Sequence, residues 1–189
     1  ALAVLVGAAL AVSGLAFQSI LANPLADPYV IGVAGGAAIG GTIAILVPGV
    51  AALGSLAVSG GAFVTGLLSI LLTWRLSLDR TGRMRAYEVL LVGVVFNAFA
   101  SAVIMYLKAV VRAEKAQEML LWLMGTLSSD VRSPGALLGT AALVAIGSAV
   151  LWRIAPALNA LALGDEDAAR LGVNPAAVTR IVFVAGSLL

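Results

Sequence analysis

Residues 23–28 read "NPLADP", two prolines with an Asn and an Asp, set between long runs of Ala, Leu, Val and Gly. Asn and Asp are favoured at helix N-caps, and Pro is favoured at the first helical position. Asn23-Pro24 and Asp27-Pro28 therefore read as two successive helix starts. Together they form a tight turn that ends one apolar segment and begins the next, with Asp27 at a water interface. A capped corner between two long apolar segments decides the fold class, which is helices joined by short polar turns.

Composition places those helices in a bilayer. The chain has 189 residues, 62% hydrophobic and 11% charged, with a mean hydropathy of +1.12. A soluble domain is about 45–50% apolar and about 25% charged. This chain has too little polar surface to cover a globule. The 21 glycines suit a membrane protein, where Gly lets helix backbones approach closely. Net charge is only +2 and no basic stripe is present, which argues against nucleic acid as a partner. There is no Cys and no His, so disulfides, Cys/His zinc sites and His-ligated haem or iron are excluded from this segment, and no cofactor is expected. The start, "ALAVLVGAAL", lacks the basic lead-in of a signal peptide. Because the sequence starts and stops inside apolar runs, the expectation is a fragment of a longer membrane protein.

A membrane helix needs roughly 20 apolar residues. Segments near 1–21, 29–47, 50–74, 88–108 and 135–153 meet that length, and another runs from about 176 to 189. The connector "RLSLDRTGRMRAYE" holds Arg75, Arg80, Arg83 and Arg85 against Asp79 and Glu88, and the positive-inside rule puts it in the cytoplasm. Counting spans from it puts "NPLADP" and the second connector, "LNALALGDEDAARLGVNPAAVTR" (residues 158–180), on the same side. The stretch from Lys108 to Arg132 then lies outside, and within it "AQEMLLWLMGTL" reads as a short helix ended by Gly125 or by "SSD", too short to span.

Three patterns carry further meaning. Gly32, Gly36 and Gly40 recur every four residues and form a ridge for helix packing. A phosphate-binding reading fails there, because no Lys-Ser/Thr pair follows, and no Walker motif occurs in the chain. In "LALGDEDAARLGVNP", Asp165, Glu166 and Asp167 begin a short helix where negative charge suits the dipole, Arg170 lies near its end, and Gly172 suits a C-cap. Ala168, Ala169 and Leu171 give that helix a small apolar face; read alone, it is an ordinary solvated loop helix. Within the spans, Gln18, Asn97 and Ser101 are polar where polarity is costly. Asn97 and Ser101 share a face at i, i+4, as either a pathway-lining or an interhelical hydrogen-bonding pair would.

Several stretches, "VGAALAVSGLAFQSILANPLADPYVIGVAGGAAIGG", "LLVGVVFNAFASAV", "EMLLWLMGTLSS" and "PALNALALGDEDAARLGV", resemble in order the permease family of ABC importers for iron-siderophores, haem and vitamin B12. The resemblance covers essentially the whole chain. It implies an all-α polytopic membrane protein, a multi-helix ABC importer permease bundle, with the family's first helix before residue 1 and its last helices after Leu189. It implies that Asn23 and Leu25 form part of a cytoplasmic gate at the axis of a permease homodimer. Tyr87 would neighbour the gate's second part, where this chain has Tyr87 and Glu88 and family members often have small or basic residues. It implies that residues 156–163 and 164–172 are coupling helices that dock on an ABC ATPase, through Leu163, Gly164, Glu166, Ala168, Ala169, Leu171 and Gly172. It also tips Asn97 toward the translocation pathway.

The implied protein is not an enzyme. It is a multi-pass transport subunit in the lipid of a bacterial or archaeal plasma (inner) membrane, and a partner subunit hydrolyses ATP. A periplasmic or lipoprotein substrate-binding protein delivers an iron chelate (siderophore or haem) or cobalamin. A secondary transporter is the alternative, and would need ionisable residues inside the spans for proton or sodium coupling. An intramembrane enzyme would need a Ser/His, paired-Asp or metal constellation there.

Overall fold

The computed structural model describes residues 2–78, 86–125 and 134–189, and the elements among them are all helical. The helices are α1 (Leu2–Leu21), a 3-10 turn (Pro28–Ile31), α2 (Val33–Leu46), α3 (Pro48–Ala51), α4 (Ser55–Leu76), α5 (Ala86–Val110), α6 (Ala113–Met124), α7 (Pro134–Arg153), α8 (Ala155–Leu161), α9 (Asp165–Arg170) and α10 (Pro175–Leu188). They divide into two compact units, one of α1 with α7 to α10, the other of the 3-10 turn with α2 to α6.

In the second unit α2 is central, and its glycines explain why. Gly36 and Gly40 face α4, where a Cβ on Gly36 would lie 2.5 Å from the Ser69 Cβ, and one on Gly40 would lie 2.6 Å from the Gly61 carbonyl oxygen. With no side chain on α2, α4 closes in and its hydroxyls turn to backbone: Thr65 Oγ1 donates to the Gly61 carbonyl (2.9 Å), and Ser69 Oγ donates to the carbonyls of Gly66 (2.7 Å) and Gly32 (3.1 Å). The expected ridge is therefore a packing surface at Gly36 and Gly40. Gly32 differs. It sits just before α2 at φ +99°, a left-handed conformation that glycine adopts without strain. Met119 of α6 is fully buried with Ala44, Ile45 and Val58, and Trp122 packs on the same cluster. The short helix expected within the Lys108 to Arg132 stretch therefore exists, ends at Gly125, and is anchored on α2.

In the other unit, Phe17 of α1 and Phe183 of α10 meet edge to face with centroids 5.6 Å apart, both rings fully buried. Beside them the buried Ser13 hydroxyl donates to the Gly186 carbonyl at 2.6 Å. Such a bond satisfies a polar group that hydrocarbon would not. A mainly apolar groove of about 390 Å³ runs between α7 and α10. α7 and α8 are inclined by 57° at Ile154, where Pro156 lacks the N–H that would continue the ladder.

Among the described residues three helices are long and apolar enough to cross a membrane, Leu2–Leu21, Ser55–Leu76 and Glu88–Val110, or four if α7 and α8 count as one bent span. Segment 29–47, expected as one span, is divided by the 3-10 turn and Gly32, leaving α2 with 14 residues. Segment 50–74 likewise starts late, at Ser55, because Gly54 at φ +84° separates α3 from α4. The Arg80 to Arg85 part of the basic connector, and Ser129 and Arg132, lie outside the described residues.

Candidate functional site

The turn at 23–28 is built differently from its sequence reading. Asp27-Pro28 does lead into a helical turn, Pro28–Ile31. Asn23-Pro24 starts no helix; it closes one. The Asn23 N–H reaches back to the Gln18 carbonyl (3.2 Å) and the Ala22 N–H to the Ser19 carbonyl (3.4 Å), with Ala22 at φ +46°. That pair of bonds is a Schellman closure of α1. Asn23 then folds the chain onward. Its Oδ1 accepts from the Leu25 N–H (2.9 Å), its carbonyl accepts from the Ala26 N–H (3.0 Å), and Gln18 Nε2 donates to the Ala26 carbonyl (3.3 Å). The side-chain oxygen that was expected to cap a following helix is spent instead on an Asx-turn. Leu25, held at the tip, is 87% exposed, an apolar side chain on a turn whose backbone is fixed. Tyr87 falls in the first turn of α5, and its side chain lies outside the described residues.

The segment 156–172 forms the two short helices expected of it, α8 and α9, hinged at Gly164 with φ +113°. α9 ends in a second Schellman closure: Gly172, at φ +81°, donates to the Ala169 carbonyl (3.0 Å), and the Val173 N–H donates to the Ala168 carbonyl (3.0 Å). Asp165, Glu166 and Asp167 occupy the first turn, and Arg170 reaches Asp167 at 3.4 Å. Both side chains of that pair are mostly exposed, so the ion pair contributes little. The residues of the expected apolar face separate. Ala168 is fully buried and anchors α9 to its own unit, so it does not belong to an outward face. Ala169 and Gly172 are exposed, as are Leu163 and Leu171, at 68% and 66%. Gly164 is half-buried and Glu166 is exposed.

Asn97 and Ser101, expected as a pair, have different surroundings. Asn97 Nδ2 donates to the Tyr29 carbonyl at 2.8 Å, while its Oδ1 is buried with no partner among the described residues. Ser101 is exposed. Two glycines not singled out in the sequence complete the Asn97 environment. Gly93, one turn before it, lies against the Val30 carbonyl and Ile31 backbone. A Cβ on Gly35 would come within 2.5 Å of Asn97 Oδ1. The Gly93-to-Asn97 spacing of four was the signal available for this junction. Among the described residues no group of three or more His, Cys, Asp or Glu is placed to hold a metal ion.

The sequence matches the FecCD transport family over residues 1–189. It is 34% identical over 188 residues to the cobalamin import system permease protein BtuC of Halobacterium salinarum, covering 97% of this chain and 48% of that protein. It is 38% identical over 178 residues to the hemin transport system permease protein HmuU of Yersinia pestis, covering 92% of this chain and 51% of the relative. The molybdate import system permease protein MolB of Haemophilus influenzae is 31% identical over 189 residues, 99% of this chain and 54% of its own length. Among solved structures, a putative metal-chelate type ABC transporter in an inward-facing conformation superposes with a TM-score of 0.84 at 29% identity, over 99% of this chain and 58% of that one. The chain thus spans about half the length of the curated relatives it matches. With the apolar helices and the capped turns already described, it is a multi-pass membrane protein and belongs to the FecCD transport family.

Proposed function

We propose that the chain forms part of the transmembrane permease of an ATP-driven ABC importer, carrying a metal chelate such as a siderophore complex or haem, or a cobalamin, inward. The relatives are named for cobalamin, hemin and molybdate, so the class of cargo is a metal compound and its identity is open. In this reading the protein breaks no covalent bond. A partner ABC ATPase hydrolyses ATP, a periplasmic or lipoprotein substrate-binding protein delivers the cargo, and two permease copies form a homodimer in the lipid of a bacterial or archaeal inner membrane.

The observation that carries the reading is the α8–α9 pair. Its inner side is pinned by Ala168 and bounded by Gly164 and Gly172, while Leu163, Ala169 and Leu171 remain exposed. A short helix fixed on one side and apolar on the other transmits rigid-body motion from whatever seats against it. Three acidic residues in the first turn of α9 ask for a groove with a basic rim. Motion entering there would shift the equilibrium between open and closed states of a gate that includes Asn23, Leu25 and Tyr87.

The test is volume added to the exposed face. Overpacking a close contact costs about 1–3 kcal/mol, enough for a tenfold or larger loss of affinity. Ala169→Trp in the full-length protein is expected to insert normally yet lose copurification of the ATPase, or to uncouple hydrolysis from uptake in vesicles. Wild-type association and uptake in that variant would return α9 to an ordinary solvated loop.

A further inference from the structure

We infer that Asn97 is a positioning residue that latches the segment Tyr29–Ile31 to α5, holding the two as one block in one state of the transport cycle and releasing them in the next. The inference rests on the permease reading above for its function, and on geometry alone for the latch. At this junction the side chains that would separate the backbones are missing. Gly93 brings α5 onto the Val30 carbonyl and the Ile31 backbone, and Gly35 of α2 leaves the room that Asn97 Oδ1 occupies. Into that junction Asn97 sends one amide donor, to the Tyr29 carbonyl at 2.8 Å.

The Tyr29 carbonyl also receives the Gly32 N–H at 3.4 Å, a long contact, so the bond from Asn97 is the shorter one. The other half of the amide, Oδ1, is buried with no partner among the described residues. A fully paired amide would make a permanent brace, whereas a half-satisfied buried one raises the energy of this arrangement and leaves it open to exchange for another. A latch with that balance suits an element that must hold in one state and release in the next. Tyr29–Ile31 follows directly on the 23–28 turn in the chain, and Tyr87 belongs to the first turn of α5, so both strands of sequence that lead to the latch carry gate residues.

The experiment compares wild type with Asn97→Leu, which keeps the number and branching of side-chain heavy atoms and removes the donor, in the full-length permease with its ATPase in lipid nanodiscs and vesicles. Backbone amide exchange at Ile31 and Gly32 is expected to accelerate by roughly fivefold to tenfold, the effect of one neutral hydrogen bond. Amides along the α2–α4 contact should be unchanged. Uptake should fall while ATP hydrolysis and ATPase association persist, because the coupling face is untouched. Should Asn97→Leu fail to insert, Asn97→Ala removes the same donor with less volume and serves in its place. Unchanged exchange at Ile31 and Gly32 overturns the latch, even if uptake falls. Faster exchange with wild-type uptake overturns the positioning role. Should the wild-type complex itself neither bind an ATPase nor take up a chelate, the permease reading fails, and the exchange comparison still decides whether the latch exists.

Discussion

A Cβ on Gly40 would meet the Gly61 carbonyl oxygen at 2.6 Å and crowd the Thr65 side chain, and the carbonyl is backbone that cannot rotate aside. Gly40→Val is therefore expected to lower stability by about 1–3 kcal/mol or more, read as a drop in the thermal midpoint of the full-length protein in detergent. Gly60, the neighbour of Gly61 on α4, has open space around it instead. Gly60→Ala should raise stability by about 0.5–1 kcal/mol through helix propensity alone. Equal effects from the two substitutions would mean that the α2–α4 contact is not as close as described. The sequence made Gly36 and Gly40 legible, since a spacing of four on one helix has few other meanings. Gly35 and Gly41 were not legible, because their partners, Asn97 and Trp122, lie on other helices far along the chain. The doublets Gly35-Gly36 and Gly40-Gly41 let α2 be approached from more than one side, which a single-face ridge does not express.

The same dipeptide, Asn-Pro, appears twice and builds two different elements. Asn174 is a true N-cap: its Oδ1 accepts from the Ala177 N–H at 3.1 Å, and Pro175 opens α10. Asn23 instead ends α1 and bends the chain. Local propensity is the same in both, so the difference lies in the residues downstream. After Pro175 the chain runs on without a breaker, whereas Pro24 is followed within four residues by Asp27-Pro28. Asn174→Ala is expected to cost about 0.5–2 kcal/mol and to speed amide exchange in the first turn of α10. Asn23→Ala should leave that turn unaffected and loosen the amides of Leu25 and Ala26. A matching exchange pattern in the two variants would contradict the distinct roles. α8, α9 and Gly172 were legible in the sequence for a related reason: their signals, Pro156, an acidic first turn and a terminal glycine, are all local. The break in segment 29–47 was not, because its apolar run looks continuous and the left-handed backbone of Gly32 shows only in the structure.

For the molecule as a whole, the sequence proposes a sidedness from the density of basic residues between Arg75 and Arg85. If α9 is cytoplasmic and α6 outside, as the proposed topology has it, a cysteine at Gly164 should be labelled by an impermeant reagent only after the cell interior is exposed, and one at Lys115 from the outside in intact cells. Labelling of both from one side would reverse the coupling assignment along with the topology. The family was readable because its motifs run in order along the chain. The cargo was not, because relatives named for cobalamin, hemin and molybdate resemble this chain at 34%, 38% and 31% identity.

The brevity of α2 carries one more consequence. Fourteen residues at 1.5 Å each give a helix about 21 Å long, against a hydrocarbon layer about 30 Å thick. The non-helical backbone that flanks it, at Gly32 and at Val47, must then be shielded by protein or water, or the surrounding lipid must thin to meet it. Where lipid does the accommodating, stability depends on acyl-chain length. Reconstituted in short-chain phosphatidylcholine it should melt at a higher temperature than in long-chain phosphatidylcholine, with the loss in thick bilayers appearing first as faster exchange at the two ends of α2.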